Sequence, residues 1–344
     1  MSDRVLVVGL GSIGTRHLRV ARELLPRAAI AVLRHRECAS IPEHADACFS
    51  DLDQAIDFAP DIAVTASPAT FHVSAAQALA QVGADLLVEK PLASSCDGVL
   101  HLIETCRARG TVLLVGYNLR YLPSLQRFRN LIREGSVGKV ISVRCEIGQD
   151  LQSWRPGTDY RQGVTARRNM GGGALLELSH ELDYLRWIFG DIDWVQAYVG
   201  RQSSLEVDVE DTAHLILGFA SWVNGRRLVG TVNMDFVRHD ATRGCTAIGE
   251  KGSLRWNGIT GVVDFFAADI KEWQEVFRDP HQRDESYRAE WQHFLDCADR
   301  RANPLVTGED GLEVLQIIDA ARLASESGGR VGVAKLESLA KVGT

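Results

Sequence analysis

Three features are missing from this sequence, and each absence removes a class of protein. No apolar run approaches the roughly 18 residues of a membrane-spanning helix, and no signal peptide precedes the first strand-like segment. Basic residues are too few for a nucleic-acid surface, since 38 lysines and arginines are outnumbered by 45 aspartates and glutamates, a formal net charge of −7. We therefore expect a cytoplasmic protein that binds neither a membrane nor a nucleic acid.

Cysteine spacing removes two further classes. The seven cysteines are odd in number, and no two of them form a Cys-x-x-Cys pair. This pattern predicts neither a disulfide framework nor a zinc cluster. We expect buried, reduced thiols and no metal site.

The remaining composition is that of an ordinary globular protein, with 45% hydrophobic and 24% charged residues. A chain of 344 residues exceeds the usual size of one hydrophobic core and predicts two domains. Because the pattern of segments changes after Gly116, we place one domain at residues 1–120 and the other at residues 121–344.

The first domain opens with a glycine-rich turn between a strand and a helix. An apolar run at Arg4–Val8 leads into the turn, and an amphipathic helix follows it. In dinucleotide-binding proteins the first glycine allows the tight turn, the second lets the backbone approach the pyrophosphate, and the third allows close helix–strand packing. The predicted cofactor-binding residues of this turn are Gly9, Gly11, Ser12, Ile13 and Gly14.

Strands and helices alternate up to Val115, which predicts a doubly wound parallel sheet with helices on both faces. The residue after the second strand of such a sheet contacts the adenosine ribose. An acid there binds the 2′-hydroxyl of NAD, whereas an arginine accommodates the 2′-phosphate of NADP. Arg34 and Arg36 stand at this position and favour NADP(H); NAD(H) stays open if both are only solvated surface charges.

A strand-like run at Asp85–Val88 passes directly into Glu89, Lys90 and Pro91. Proline lacks the N–H of a strand ladder, so the strand ends here. Glu89 and Lys90 then lie at the carboxyl end of a strand, where open α/β sheets bind ligands. An exposed ion pair is the competing interpretation of these two residues taken alone.

After Gly116 the pattern changes to strands with two-residue alternation, for example Val140–Ile147, Ala213–Phe219 and Leu228–Phe236. Short turns join them and few helices interrupt them. Two late helices are predicted at about Glu285–Arg301 and Glu309–Ser325, and the second has a capping pair at Thr307 and Asp310 and an apolar stripe. The second domain is therefore expected to be α+β, with an open, mostly antiparallel sheet and helices on one face. For the whole chain we expect the α/β class.

About 23 residues between Gly148 and Gly172 show no periodicity, and a loop of this length usually has a function. The loop offers an aromatic side chain to stack on a sugar ring, an acid to accept from hydroxyls, and arginines to pair with an anion. We predict that it binds a carbohydrate substrate, such as a sugar acid or a phosphorylated sugar. The residues are Trp154, Arg155, Asp159, Tyr160 and Arg167, and a disordered loop with incidental arginines is the alternative.

The helix predicted after this loop carries Leu175, Leu178 and Leu182 on one stripe. Glu177 and His180 fall on the opposite face. A histidine flanked by carboxylates at helical spacing is a candidate proton carrier, because a carboxylate can tune its pKa. An inert histidine on the helix surface is the competing interpretation.

Taken together, five segments resemble the glucose-fructose oxidoreductase, inositol dehydrogenase and MocA (Gfo/Idh/MocA) family. They are the glycine-rich turn, Thr65–His72, Glu89–Pro91, Gly116–Tyr121, and the triple glycine followed by His180–Asp183. The match spans nearly the whole chain. One departure concerns an acid that many members carry four residues before the histidine. Leu176 holds that place here, and Glu177 stands three residues before.

The resemblance implies an N-terminal Rossmann domain that holds a nicotinamide cofactor and a C-terminal open-faced sheet that binds substrate. It also implies that Lys90 and His180 face the substrate. Because members often pack this sheet against a partner subunit, a homodimer or homotetramer is expected.

The expected reaction is reversible oxidation of a secondary alcohol on a sugar, sugar acid, nucleotide sugar or cyclitol. A base and a cation are needed at the alcohol oxygen. We assign these roles to His180 and Lys90, which could exchange them, and Glu177 is the third catalytic candidate. The remaining candidates are Ser67, Pro68, His72 and Glu89 beside the nicotinamide, and Asn118 and Arg120 in the substrate pocket.

Two other functions stay open from the sequence. One is a protein that senses NADPH without catalysis, although no DNA-binding segment is visible. The other is an imine or enone reductase on the same fold.

Overall fold

The structure is a computed structural model that describes residues 4–35, 40–154, 157–223, 226–280, 282 and 284–334. Its contacts divide the chain into two compact units. Unit 1 comprises Met1–Asn118 and Asp284–Leu315, and unit 2 comprises Leu119–Arg283 and Gln316–Thr344. The sequence places all of residues 121–344 in one domain, whereas in the structure the segment 284–315 belongs with unit 1.

Unit 1 is built on a six-stranded parallel sheet. Its strands are β1 Arg4–Val8, β2 Ala29–Leu33, β3 Ala47–Phe49, β4 Ile62–Thr65, β5 Asp85–Glu89 and β6 Leu113–Gly116. They lie in the order β3-β2-β1-β4-β5-β6, and all neighbours run parallel. The strand order reverses between β1 and β4, which is the place where doubly wound sheets bind ligands. The predicted Rossmann-like sheet is confirmed.

Helices connect the strands of unit 1. They are α1 Ser12–Leu24, α2 Leu52–Asp57, α3 His72–Gln81 and α4 Val99–Arg109. Continuous apolar strands form the core, in which Val5, Ile30, Val64 and Leu87 have no exposed surface. Such runs are expected for parallel strands that helices cover on both faces.

Unit 2 is built on a nine-stranded sheet. Its strands are β7 Val140–Gly148, β8 Ile192–Gly200, β9 Thr212–Val223, β10 Arg226–Asp235, β11 Thr242–Gly249, β12 Gly252–Asn257, β13 Val262–Ala267, β14 Trp273–Arg278 and β15 Arg330–Gly332. The order is β14-β13-β12-β11-β7-β10-β9-β8-β15, and β7 with β10 is the parallel pair among antiparallel neighbours. The predicted mostly antiparallel sheet is confirmed.

One face of this sheet is buried and the other is open. On β9 the side chains of Ala213, Leu215 and Leu217 are buried, whereas His214 and Ile216 between them are exposed. Alternation of this kind is typical of an antiparallel sheet that packs on one side only.

Helix α5 Pro123–Arg133 precedes β7, and between β7 and β8 lie α6 Leu151–Trp154, α7 Ala174–Glu177 and α8 His180–Phe189. On the buried face, Trp256 of β12 lies edge to face with Tyr184 of α8, with 5.4 Å between ring centroids. The Trp256 indole N–H donates to the Ser124 hydroxyl of α5 at 3.1 Å. These contacts hold α5 and α8 against the sheet.

Two helices lie between β14 and the last strand, β15. Helix α9 Glu285–Arg300 adds Trp291, Phe294 and Cys297 to the core of unit 1. Helix α10 Gly308–Ser327 begins with the predicted capping pair, since the Thr307 N–H donates to Asp310 at 3.0 Å and the Asp310 N–H donates to the Thr307 hydroxyl at 3.2 Å. The sequence predicts both helices and the cap, but an apolar stripe does not tell which core a helix joins.

Five elements of the described structure are absent from the sequence prediction, namely β3, β14, β15, α2 and α6. The three strands are the edges of their sheets. An edge strand is paired on one side only and needs no long apolar run, so its sequence carries little signal. The helix predicted to run on from Gly172 is broken between α7 and α8, so Glu177 ends one helix and His180 begins the next.

The expectation of reduced thiols holds for five cysteines and is wrong for Cys48, which is disulfide-bonded. In the parts of the chain that the structure describes, no helix is long and apolar enough to cross a membrane. The same parts contain no cluster of three or more side chains suited to a metal ion.

Candidate functional site

The turn between β1 and α1 has room only for glycine at two positions. Gly9 has a φ of +94°, and a Cβ there would lie 2.7 Å from the Ser67 nitrogen. A Cβ on Gly14 would lie 2.0 Å from the Gly9 carbonyl oxygen, whereas a Cβ on Gly11 would meet nothing within 4 Å. The first and third glycines therefore close the turn, and the second leaves the space in front of α1 open.

The N-terminus of α1 is suited to an anion. Gly11 and Ser12 are exposed and Ile13 is half-buried. No side chain caps the helix, and its first turn carries no acid. The first N–H groups of a helix have no intrahelical acceptor, and the helix dipole is positive at this end. These residues fit the pyrophosphate of a dinucleotide.

The loop after β4 lies against this turn and carries hydroxyls that fit a polar ligand. The hydroxyl oxygens of Thr65, Ser67 and Thr70 are buried, and none has a hydrogen-bond partner among the residues that the structure describes. Buried hydroxyls in folded proteins nearly always have a partner. Next to the half-buried Pro68, they would suit the ribose or carboxamide of a nicotinamide nucleotide.

His72 ties two of the loops at this edge together. Its Nε2 lies 2.7 Å from the Ser67 carbonyl oxygen, and its Nδ1 lies 3.0 Å from the Pro91 carbonyl oxygen. Burial lowers the pKa of His72, and the two carbonyls and Glu89 oppose this only in part. The lowered pKa favours the neutral ring, which has one N–H and can donate to only one of the two carbonyls while it contacts the other.

Glu89 ends β5 as a buried carboxylate with both oxygens in use. Its Oε1 lies 2.8 Å from His17 Nε2, and its Oε2 accepts from the backbone N–H of Lys90 at 2.9 Å. Burial raises the pKa of Glu89, but its interactions with His17 and then with Lys90 outweigh burial, and the net pKa lies below the ordinary value. The interpretation as an exposed ion pair is therefore wrong for Glu89. The Lys90–Pro91 peptide bond is cis, and Lys90 is half-buried.

At the adenosine end, Arg34 directly follows β2. Its backbone N–H donates to the Phe49 carbonyl at 3.0 Å, which anchors this residue to the end of β3. The half-buried guanidinium has no carboxylate partner within the described ranges. Arg36 lies outside the described residues.

In unit 2, His180 is the first residue of α8 and is 8% exposed. Helix α8 is buried on all sides rather than amphipathic as the sequence predicts. Its acids are neutralised within the unit, since Arg243 donates to Glu181 at 2.9 Å and Asp183 pairs with Arg120. His180 is therefore not a histidine of an exposed helix face, and the half-buried Glu177 lies one turn before it, at the end of α7.

Two residues that were predicted to bind the substrate instead form hydrogen bonds with other buried residues of the protein. The Arg120 guanidinium donates twice to Asp183, and both side chains are buried. The Asn118 amide donates to the Ser286 hydroxyl at 2.9 Å within unit 1. We leave both out of the substrate site proposed below.

The predicted substrate loop contains α6 and three short 3₁₀ turns. Much of its charge is paired, because Arg161 donates to Asp159 at 2.8 Å and to Glu206 at 2.9 Å. Arg167 is exposed and donates to the Arg161 carbonyl at 3.0 Å. Arg155 lies outside the described residues.

This loop lines an open cavity of about 320 Å³, and three predicted substrate residues contribute to its wall. The Trp154 ring lies 5.7 Å from that of Phe236, and the Tyr160 hydroxyl accepts from the Glu206 N–H at 3.2 Å. The lining residues are Leu151, Trp154, Thr158, Asp159, Tyr160, Gln162, Gly163 and Thr165.

The sequence analysis misses three buried side chains beside Glu89. His17, Trp291 and Glu290 each have no exposed surface. The sequence contains a signal for His17, because this residue falls on the buried stripe of α1 with Gly14, Leu18 and Ala21. A polar residue on an apolar stripe needs a partner in the core, and here the partners come from distant segments.

Two family models match the chain. The NAD-binding Rossmann domain of the Gfo/Idh/MocA oxidoreductase family matches residues 4–117, and the C-terminal alpha/beta domain of that family matches residues 129–333. Among curated proteins, inositol 2-dehydrogenase 1 of Saccharopolyspora erythraea is 28% identical over the whole of both chains. D-apiose dehydrogenase of Paraburkholderia graminis is 25% identical over 82% of this chain and 74% of its own.

Solved structures share the fold. Levoglucosan dehydrogenase in complex with NADH and levoglucosan superposes with a TM-score of 0.83 at 22% identity, over 97% of this chain and 99% of that one. WlbA dehydrogenase from Bordetella pertussis, in complex with NADH and UDP-GlcNAcA, gives a TM-score of 0.79 at 22% identity, over 97% and 100%.

Proposed function

The chain belongs to the Gfo/Idh/MocA oxidoreductase family, with an NAD-binding Rossmann domain and a C-terminal alpha/beta domain, and we propose that its substrate is a carbohydrate. The reaction is hydride transfer between a nicotinamide nucleotide and a secondary alcohol or ketone of a sugar, sugar acid, nucleotide sugar or cyclitol. Relatives named for inositol and apiose support this substrate class.

One observation carries the proposal: three functional segments follow neighbouring strands of unit 1. Gly9 follows β1, Ser67 lies just after β4, and Lys90 follows β5, and these strands are adjacent in that order. The carboxyl ends of neighbouring parallel strands lie at the same edge of the sheet. With strands about 4.8 Å apart, two steps separate β5 from β1 by roughly 10 Å. We therefore propose that the Lys90 ammonium lies beside the dinucleotide site at the turn between β1 and α1.

The side chains divide the chemistry between them. When bound, the nicotinamide supplies the hydride acceptor for oxidation. The Lys90 ammonium stabilises the negative charge that develops on the alcohol oxygen, and Glu89 holds the Lys90 backbone. His180 is proposed as the base that takes the alcohol proton, with Glu177 as an auxiliary acid. An exchange of roles between Lys90 and His180 stays part of the proposal.

The cavity in the loop of unit 2 is the proposed carbohydrate site. Trp154 and Tyr160 offer aromatic surface for a sugar ring, and Asp159 offers oxygens to its hydroxyls. Arg161 is already paired with two acids, so Arg167 is the residue proposed for an anionic group on the substrate.

For the cofactor we propose NADP(H), with NAD(H) as the second choice. Arg34 stands where an acid would bind the 2′-hydroxyl of NAD, and the described residues offer its guanidinium no carboxylate. The comparison structures were solved with NADH, which is a property of those proteins.

We further propose that the open face of the sheet of unit 2 packs against a second copy of the chain, in a homodimer or homotetramer. Tyr198, Ile216 and Val229 are exposed on the adjacent strands β8, β9 and β10, with 47%, 40% and 37% of their surface accessible. Exposed apolar side chains on three adjacent strands are typical of an interface. Light scattering should show a multimer that Ile216→Glu dissociates, and a monomeric wild type would refute this assembly.

The test is a substrate screen combined with one substitution. Inositols, neutral sugars, sugar acids and nucleotide sugars are mixed with NAD⁺ or NADP⁺, and nicotinamide absorbance is followed. We expect turnover of at least one carbohydrate class. In Lys90→Met we expect kcat to fall by roughly 10²–10⁴-fold with little change in cofactor Kd.

Lys251→Met is the matched control, because Lys251 is exposed in unit 2 and should leave turnover unchanged. Full turnover in Lys90→Met would overturn the proposed mechanism. Cofactor binding without turnover of any carbohydrate would overturn the proposed function.

A further inference from the structure

A buried chain of hydrogen bonds leads from α9 to the backbone of Lys90. The Trp291 indole N–H donates to His17 Nδ1 at 2.9 Å, and His17 Nε2 lies 2.8 Å from Glu89 Oε1. Glu89 Oε2 accepts from the Lys90 N–H at 2.9 Å. All four residues belong to unit 1.

Chemistry determines the direction of each bond in this chain. An indole N–H can only donate, so His17 Nδ1 must accept and carries no proton. The proton of the neutral imidazole is then on Nε2, from which it is donated to the carboxylate of Glu89. Trp291 thereby selects the tautomer of His17, and His17 supplies a directed donor to Glu89.

We propose that His17 is a positioning residue for Lys90 that acts through Glu89. The hydrogen bond from His17 to Oε1 orients the Glu89 carboxylate so that Oε2 accepts from the Lys90 backbone N–H. The same hydrogen bond favours the negatively charged carboxylate next to the lysine. The inference rests on the proposed catalytic role of Lys90.

The surroundings of Glu89 make this donor decisive. The titratable groups that act on Glu89 or are acted on by it are His17 on α1, His72 on α3, Lys90 itself, and Tyr287 and Glu290 on α9. Of these, His17 is the group that donates a side-chain hydrogen bond to Glu89. Loss of that donor leaves burial as the dominant influence, so Glu89 would take up a proton at higher pH.

A second buried acid acts in the same direction. Glu290 has no exposed surface, and neither of its oxygens has a hydrogen-bond partner among the described residues. Burial and the nearby Glu89 raise the pKa of Glu290 well above its ordinary value, which favours its protonated, uncharged form. One negative charge therefore remains in this part of the core, and His17 keeps it on Glu89.

The experiment compares His17→Leu, His17→Gln and Leu18→Ala by the pH dependence of kcat on a substrate from the screen. In His17→Leu we expect kcat to fall by about tenfold or more and the acid limb to move to higher pH by roughly one unit. Glutamine retains an N–H donor and should restore much of the wild-type limb. Leu18 is the buried neighbour of His17 on α1, so Leu18→Ala should lose thermal stability and keep the wild-type limb.

The inference would be overturned if the acid limb of the pH profile of kcat were the same in the wild type and in His17→Leu. It would also be overturned if Leu18→Ala moved that limb to higher pH as far as His17→Leu does. If Lys90→Met retains full turnover, the proposed mechanism fails instead, and cofactor binding without turnover of any carbohydrate would overturn the proposed function. If both His17 variants fail to fold, the NMR resonances of the imidazole nitrogens in the wild type test the inference instead. They are expected to show a proton on Nε2 and none on Nδ1, and a proton on Nδ1 would contradict the inference.

Discussion

Arg120 and Asp183 form a two-pronged ion pair in the interior of unit 2. Nε of the guanidinium lies 2.9 Å from Oδ2, Nη2 lies 2.6 Å from Oδ1, and the side chains are 3% and 1% exposed. The pair joins the segment before α5 to the first turn of α8, the helix that begins with His180. Its contribution is therefore to hold α8 in place.

The first prediction concerns this pair. Asp183→Asn leaves a buried guanidinium without its counter-charge, so we expect the free energy of unfolding to fall by about 3–5 kcal/mol. Urea unfolding followed by fluorescence measures the change. The control is Glu134→Gln, which breaks the exposed pair with Arg127 and should cost about 1 kcal/mol or less. Equal losses in the two variants would show that burial does not set the strength of the Arg120 pair.

The second prediction separates the glycines of the cofactor turn. Gly14→Ala places a methyl group 2.0 Å from the Gly9 carbonyl oxygen, so the turn must open and the melting temperature should fall without any cofactor. Gly11→Ala meets no atom within 4 Å and has a φ of −76°, which suits alanine, so its melting temperature should match the wild type.

In Gly11→Ala the methyl group instead occupies the space in front of α1. We expect the Kd for the nicotinamide nucleotide to rise by about tenfold or more, since the backbone can no longer approach the phosphates closely. Fluorescence titration measures it. Wild-type affinity in Gly11→Ala would contradict the placement of the pyrophosphate.

The third prediction is a pH dependence of stability that comes from Glu290. Its pKa is raised in the folded protein, so the folded state keeps a proton that the unfolded chain releases near pH 4.3. The resulting stabilisation is complete below that pH and is lost as the pH rises. Glu290→Gln has no such proton, so between pH 5 and 8 the wild type should lose stability relative to the variant, by up to about 1.4 kcal/mol per pH unit.

Chemical denaturation at several pH values gives this difference. Exposed Glu326 provides the control, and Glu326→Gln should run parallel to the wild type. A constant difference between wild type and Glu290→Gln across this range would mean that Glu290 is ionised in the folded state.

The fourth prediction tests the choice of cofactor. If Arg34 pairs with a 2′-phosphate, Arg34→Met should weaken NADPH binding by roughly 10- to 100-fold, the range expected for a charged hydrogen bond, and leave NADH binding unchanged. Isothermal titration with each nucleotide measures both constants. Equal losses for the two nucleotides would exclude a role in reading the phosphate.

Much of unit 1 could be predicted because its signals are local. The spacing of Gly9, Gly11 and Gly14, the proline after Lys90 and the cap at Thr307 each depend on residues a few positions apart. Local geometry limits what such patterns can form, so the parallel sheet and its ligand edge followed from the order of the segments.

The partners of the polar side chains depended on tertiary structure. Arg120 looked like a substrate ligand and is paired with an acid 63 residues away, and His17 gained its role from Trp291, 274 positions along the chain. The membership of α9 in unit 1 was decided in the same way. A sequence shows which polar groups will be buried and need a partner, but the partner is chosen by packing, because a hydrogen bond depends on distance in space and not on separation along the chain.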